Sequence, residues 1–142
     1  MVQKITWVFA IVFLAIGVLG FVPGVTTADS MLLGMFHVDS LHSIIHLVTG
    51  LVLAFAAWSS ASSSQLALKV FGVVYALVMV VGFVQGDTVL GLFAVNMADN
   101  VLHLVLAAGL LYAGFIMKEG SSMGAAQPQM QNMGSDMGGQ GM

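Results

Sequence analysis

Four long apolar runs take up most of this chain and constrain its fold more than any other feature. They cover residues 5–22, 41–58, 66–84 and 97–117. Each run ends at a polar or helix-breaking stretch, such as Pro23-Gly24 after the first and the serine-rich "SSASSSQ" after the second. Since a helix needs roughly 20 apolar residues to cross a bilayer, the runs predict an all-α membrane protein with four transmembrane helices in one domain, residues 1–119.

The composition excludes several other classes of protein. Only 6% of the residues are charged and 59% are hydrophobic, whereas a soluble domain carries about 25% charged residues. The chain has no cysteine, which rules out disulfides and thiolate metal sites. Its three basic residues are too few for the phosphate contacts that nucleic acid binding requires.

The sequence contains no recognisable catalytic arrangement. There is no serine–histidine–acid order, no phosphate-binding loop and no pair of carboxylates at helical spacing. We therefore expect a protein without enzymatic activity. Its expected partners are the lipid bilayer and a larger membrane complex or a second copy of the chain.

The few charges indicate how the chain is oriented. Lys4, Lys69 and Lys118 fall on one side of the predicted membrane, and the opposite loops carry aspartates but no basic residue. The positive-inside rule then predicts a bacterial inner membrane protein with both termini in the cytoplasm. The first run is long for the apolar part of a signal peptide, so it is expected to be retained as a span.

An internal repeat links the two halves of the chain. "LGMFHVDSLHSIIHLV" (33–48) aligns without gaps with "LGLFAVNMADNVLHLV" (90–105), which matches His46 with His103. Residues 4–17 align more loosely with 69–82. The repeat predicts two tandem parallel-repeat helical hairpins forming an up-and-down bundle, with spans two and four on one diagonal. The outer loops are expected to form short interfacial or re-entrant turns.

Three polar residues stand where helix caps are expected. Asp39 and Asn96 precede spans two and four, so their side chains can accept hydrogen bonds from the free N–H groups of the first turn. Asp99 follows Asn96 by three residues, the spacing of a capping box. These residues therefore have a structural interpretation that needs no further function.

A polar face near the outer side combines His42, His46, Asp99 and His103. The interpretation given most weight is structural: the histidines organise the bundle of an accessory or scaffold subunit, and no cofactor is bound. A divalent metal held by all four residues is an alternative. Haem b between His46 and His103 is another, and a proton or small-solute pathway is the last.

The segment 120–142 differs in composition from the rest of the chain. It is rich in Met, Gly and Gln and has too few core-forming residues to pack on its own. We predict a flexible tail.

The motifs "FGVVYAL" (71–77), "ADNVLHLVLAAG" (98–109) and "LHSIIHLVTG" (41–50) resemble a bacterial four-helix membrane family, the domain-of-unknown-function family 4383. The resemblance runs from Lys4 to about Lys118, and His46 and His103 match the recurring histidines of its pattern. This chain differs from the pattern at His42-Ser43, where Asn is usual, and in its Met-rich tail. The resemblance implies four spans and no assigned activity.

Overall fold

The computed structural model describes residues 1–117 and contains four long helices joined by short connections. All four are long and apolar enough to cross a membrane, as the sequence predicts. The predicted flexible tail at 120–142, with Lys118, lies outside the described residues. The helices are α1 (Val2–Leu19), α2 (Ser40–Ser59), α3 (Ala61–Gln85) and α4 (Met97–Phe115).

The serine-rich segment is a tight helix-to-helix turn followed by the start of α3. Ser60 alone separates α2 from α3, and its side chain accepts a hydrogen bond of 3.0 Å from the Ser63 N–H. The Ser64 hydroxyl donates to the Ser60 and Ala56 carbonyls. The helix therefore begins five residues before the predicted apolar span at residue 66, because these serines satisfy the free backbone groups at the helix end. At 25 residues, α3 is about 37 Å long and exceeds the roughly 30 Å hydrocarbon core.

Two small β-hairpins form the end of the molecule opposite the N-terminus and the α2–α3 turn. β1 (Met31–Leu32) pairs with β2 (Phe36–His37), and β3 (Thr88–Val89) pairs with β4 (Phe93–Ala94), both antiparallel. The re-entrant or interfacial turns expected here are thus two-stranded hairpins in matching register.

A Leu-Gly pair makes the turn of each hairpin. Leu33 and Gly34 have φ angles of 55° and 68°, and Leu90 and Gly91 have 53° and 67°. Glycine adopts this left-handed conformation without strain, whereas leucine does so at a cost.

Glycines set the close approach of the helices within each half. A β-carbon at Gly50 of α2 would lie 2.9 Å from the backbone nitrogen of Leu14 in α1, and one at Gly72 of α3 would lie 3.0 Å from that of Leu111 in α4. The α1–α2 and α3–α4 pairs therefore pack with their backbones nearly in contact. α2 and α3 touch less extensively.

The first four buried positions of α1 and of α3 follow the same spacing, whereas the fifth, Gly17 and Gly82, do not. The first four pair along the two helices as Val2 with Ser64, Thr6 with Leu68, Ala10 with Gly72, and Phe13 with Tyr75. The alignment of 4–17 with 69–82 pairs Phe13 with Val78 instead, although it also pairs the buried Gly17 with the buried Gly82. Identical residues in two apolar helices say little about which positions correspond, because most positions face lipid.

Large apolar side chains cover the outward helix faces. Ile11, Leu51, Val80 and Val105 are each at least half exposed, as are many others. An apolar surface of this extent suits lipid rather than water. The buried histidines of α2 and α4 lie inside, near the hairpin end.

Candidate functional site: a buried histidine triad

Three histidines meet inside the bundle, and we call them the triad: His42 and His46 of α2, and His103 of α4. One ring nitrogen from each can be chosen so that all lie within 4.8 Å of one another. The rings are at most 3% exposed. Their centroids lie 4.7 Å apart for His42 and His46, 5.6 Å for His42 and His103, and 6.2 Å for His46 and His103.

The bundle geometry explains why these side chains meet. Residues four apart on a helix share one face, which places His42 and His46 together. α4 lies across the bundle from α2, so the gap between their backbones is filled by imidazole rings rather than by close helix packing. Aromatic rings from α1 and α3 complete the wall: Phe13 lies 5.7 Å from His46, and Tyr75 lies 5.6 Å from His103.

Hydrogen bonding places a proton on one ring nitrogen of His42. Its Nδ1 lies 2.9 Å from the Ala94 carbonyl oxygen. Because a carbonyl only accepts, Nδ1 donates, and a neutral ring then carries a lone pair on Nε2. That Nε2 atom is buried without a hydrogen-bond partner.

The other two rings also carry unpartnered nitrogens. Both ring nitrogens of His46 are buried without a partner, as is Nδ1 of His103. A buried polar atom left unpaired costs about 1–3 kcal/mol. The triad thus concentrates four such nitrogens in one small volume.

Asp39 binds the backbone of Ala94, the residue whose carbonyl orients the His42 ring. Its Oδ1 accepts from the His42 backbone N–H at 2.8 Å and caps α2, while its Oδ2 accepts from the Ala94 N–H at 2.7 Å. Ala94 is therefore tied to α2 through both its N–H and its carbonyl. This carbonyl support of an imidazole is the arrangement that usually orients metal-bound histidines.

Asp99 takes part in the corresponding cap at the other half, where Asn96 is the N-cap residue of α4. Its Oδ2 accepts from the backbone N–H groups of Asn96 and His37, each at 2.9 Å. The Asn96 side chain accepts from the Asp99 N–H at 3.0 Å, which completes the capping box. The Asp99 carboxylate is therefore engaged in capping. The adjacent side chains that could ligate an ion are the three histidines, and Asp99 is not among them.

The fourth histidine lies apart from this group. The His37 ring belongs to β2 at the hairpin, is only partly buried, and is not among the adjacent ligating side chains. It offers a matched control for the triad.

A cavity of about 300 Å³ adjoins the triad between α2 and α3. Its wall is aromatic and aliphatic apart from the triad, Tyr75 and Thr49. The other lining residues are Ile44, Ile45, Val48, Phe71, Val74, Val78 and Phe93. On the opposite side, between α1 and α4, a cavity of only about 70 Å³ is lined in part by His46 and Asp99.

The triad suits an ion better than a haem macrocycle. Rings of His42 and Tyr75 lie within 6.3 Å of both His46 and His103 and fill the space beside them. The adjoining cavity is at the small end of ligand pockets, which span roughly 300–1,000 Å³. A porphyrin between the two predicted axial ligands would have to displace these side chains.

Two further buried polar residues were not singled out from the sequence. The Ser43 hydroxyl and Asn100 Oδ1 are buried without partners. A β-carbon on Gly20 would overlap Ser43, and one on Gly82 would overlap Asn100. The signal was present, because Ser43 and Asn100 occupy matching places in the aligned segments 33–48 and 90–105.

The family model described as "Domain of unknown function (DUF4383)" matches residues 3–116. The chain belongs to the DUF4383 family. The matched region contains both hairpins, the triad and almost all of the four helices. Comparison with curated proteins and with solved structures gives no match. Membership of DUF4383 assigns no activity, so the function has to be argued from the site.

Proposed function

We propose that this DUF4383 protein binds one divalent transition-metal ion of the zinc class through His42, His46 and His103. The single observation that carries the proposal is the set of three adjacent, buried imidazoles with unpartnered ring nitrogens. The proposal is a binding function and assigns no reaction.

The hydrogen bonding favours this function over interhelical glue. Histidines that hold helices together are expected to bond to one another or to polar neighbours. His46 bonds to neither, although it is 3% exposed and lies in the centre of the bundle. An ion would satisfy the free lone pairs of all three rings at once.

The dimensions are also compatible with an ion. Zinc lies about 2.0–2.1 Å from imidazole nitrogens, so tetrahedral ligands are about 3.3 Å apart. Nitrogens now within 4.8 Å of one another would each move by about 1 Å or less, which small side-chain rotations allow. Three imidazoles and no thiolate suit zinc, iron, nickel or copper more than calcium or magnesium.

We further propose that the triad lies toward the outer face of a bacterial inner membrane, with the N-terminus and the α2–α3 turn in the cytoplasm. Lys4 and Lys69 support this orientation under the positive-inside rule. Asp29 and Asp87 stand in the hairpin segments at the other end.

The test is metal binding by full-length protein purified in a maltoside detergent without a histidine tag. After exposure to Zn²⁺ and removal of excess, elemental analysis is expected to find about one equivalent per chain. Competition with a chromophoric chelator then gives the affinity. His42→Ala, His46→Ala and His103→Ala should each weaken it by about 100-fold or more, beyond the 10–100-fold typical of supporting residues.

His37→Ala is the matched control, since it removes the imidazole that lies outside the triad. His46→Gln keeps a polar side chain of similar size and should preserve the fold while weakening the metal affinity. Protein that stays metal-free under excess Zn²⁺, or that keeps its affinity in all three alanine variants, would refute the proposal. A metal-free but fully folded protein would return the triad to a structural role.

A further inference from the structure

We propose that the ion's open coordination position faces the cavity between α2 and α3, and that it takes the anionic oxygen head of a single-chain lipid. This inference rests on the proposed metal site. Three protein ligands leave a tetrahedral ion with one open position. The questions are where that position points and what chemistry can reach it.

The larger cavity identifies the side that is open. All three triad residues line the cavity of about 300 Å³ between α2 and α3. Of the triad, only His46 lines the cavity of about 70 Å³ on the α1–α4 side. There the Asp99 carboxylate is already engaged by two backbone N–H groups. An added ligand therefore has room on the α2–α3 side.

The cavity opens toward lipid. Ile44, Val48 and Val74 stand at its margin and are 47%, 54% and 43% exposed on the apolar outer surface of the bundle. A molecule that entered between these side chains would come sideways from the bilayer. Its body would rest on valines and phenylalanines, which suits an alkyl chain.

The hairpin end closes the same cavity toward water. Phe93 of β4 packs on His42 with ring centroids 5.1 Å apart. With Val89 and Val95 it forms a buried cluster against Ile45 and neighbouring valines of α3. A water-soluble ligand would have to pass this apolar lid, whereas a lipid would not.

Charge determines the head group. Three neutral imidazoles leave a divalent ion with its full positive charge in an apolar surrounding, and the cavity lining includes no carboxylate. An uncompensated buried charge is costly, so an anion is the favoured fourth ligand. Oxygen anions on single alkyl chains occur as carboxylates in fatty acids and as phosphate monoesters in phosphorylated lipids. Both present the same chemistry to the ion.

The experiment uses full-length protein in maltoside micelles with Co²⁺ as the bound metal, because its visible absorption reports a change of ligand. Decanoate, decyl phosphate, decanol and acetate are titrated separately. Decanoate or decyl phosphate is expected to change the cobalt spectrum at a concentration at least about tenfold below acetate, a factor that two buried methylenes supply. Decanol partitions into the same micelles without an anionic head and should leave the spectrum unchanged.

Substitutions in the cavity test whether the alkyl chain lies there. Val78→Trp fills the cavity from α3 and should raise the half-saturating concentration of decanoate by about tenfold or more, with cobalt still bound. Val74→Phe makes the same test from the cavity margin. Val80→Trp is the matched control, because Val80 is 51% exposed and does not line the cavity.

The outcomes separate the two proposals. If wild-type protein takes up no cobalt, the metal site does not exist and both proposals are overturned. Protein that binds cobalt but responds equally to decanoate and acetate, or equally in Val78→Trp, Val74→Phe and wild type, keeps the metal site and overturns the lipid ligand. A stronger response to decanoate than to decyl phosphate assigns the head to a fatty acid, and the reverse assigns it to a phosphorylated lipid.

Discussion

Asp39→Asn tests whether the link from α2 to the second hairpin supports the triad. The carboxylate of Asp39 uses one oxygen to cap α2 at the His42 N–H and the other to accept from the Ala94 N–H. Asparagine has a single carbonyl oxygen and cannot make both bonds. In either amide orientation its NH₂ group faces one of the two N–H donors.

The cost follows from the bond that is lost. The Asp39–Ala94 bond is short, at 2.7 Å, and its acceptor is charged. Hydrogen bonds to charged groups contribute about 1.5–3 kcal/mol, so we expect the free energy of unfolding to fall by that amount. Because the Ala94 carbonyl also accepts from His42 Nδ1, the affinity for Zn²⁺ should fall by about 10–100-fold.

Two measurements on the same preparations check this prediction. Equilibrium unfolding in mixed maltoside and dodecyl sulfate micelles, followed by circular dichroism, gives the stability, and chelator competition gives the affinity. Asp29→Asn is the matched control, because Asp29 is exposed in the first hairpin segment and its replacement removes the same charge. If the two variants were indistinguishable in both measurements, the argument that Asp39 orients the triad through Ala94 would be wrong.

Two other predictions concern packing and orientation. Gly50→Ala should destabilise the bundle by about 1–3 kcal/mol, because the added carbon would lie 2.9 Å from the backbone nitrogen of Leu14. Gly109→Ala adds a carbon that meets only the tip of a phenylalanine ring, at 3.0 Å. It should leave the free energy of unfolding unchanged or raise it by up to about 1 kcal/mol. If both variants lost the same amount of stability in the unfolding assay, this account of the helix contacts would be contradicted. For orientation, the absence of cysteine allows single-cysteine variants at two exposed sites, Ala28 in the first hairpin segment and Ser62 at the start of α3. A membrane-impermeant maleimide should label Ala28→Cys but not Ser62→Cys in intact spheroplasts, and the reverse pattern would invert the proposed topology.

The number of helices was predictable because length and hydropathy determine it. Their ends were less so. The sequence around Ser60 is typical of a polar connection, but serine hydroxyls can satisfy backbone groups at a helix start as well as in a loop. Single-sequence patterns do not distinguish the two uses.

The two β-hairpins could not be predicted for a different reason. Each strand has two residues, which is too short for an alternating pattern to be visible. The repeated Leu-Gly pairs at 33–34 and 90–91 were the available signal, since a glycine with positive φ commonly marks a tight turn.

The candidate site was predictable as a face but not as a set of contacts. Helical spacing and the aligned segments predict that His42, His46 and His103 lie together. The same reasoning added Asp99, whose carboxylate turns back to the N-terminus of its own helix and to the His37 N–H. Position on a helix face does not determine whether a short side chain points inward or caps its own helix. The triad's missing hydrogen bonds depend on three-dimensional packing and have no sequence signature.

Two aspartates at the hairpin end form hydrogen bonds between the two halves of the chain. Asp39 of the first half holds the backbone of the second hairpin at Ala94, and Asp99 of the second half holds the first hairpin at His37. Each half therefore supplies the acceptor for a hairpin N–H of the other half. Fragments 1–60 and 61–142 should each be degraded when produced singly and should persist when produced together. The protein would then behave as a covalently joined heterodimer whose halves protect each other from proteolysis.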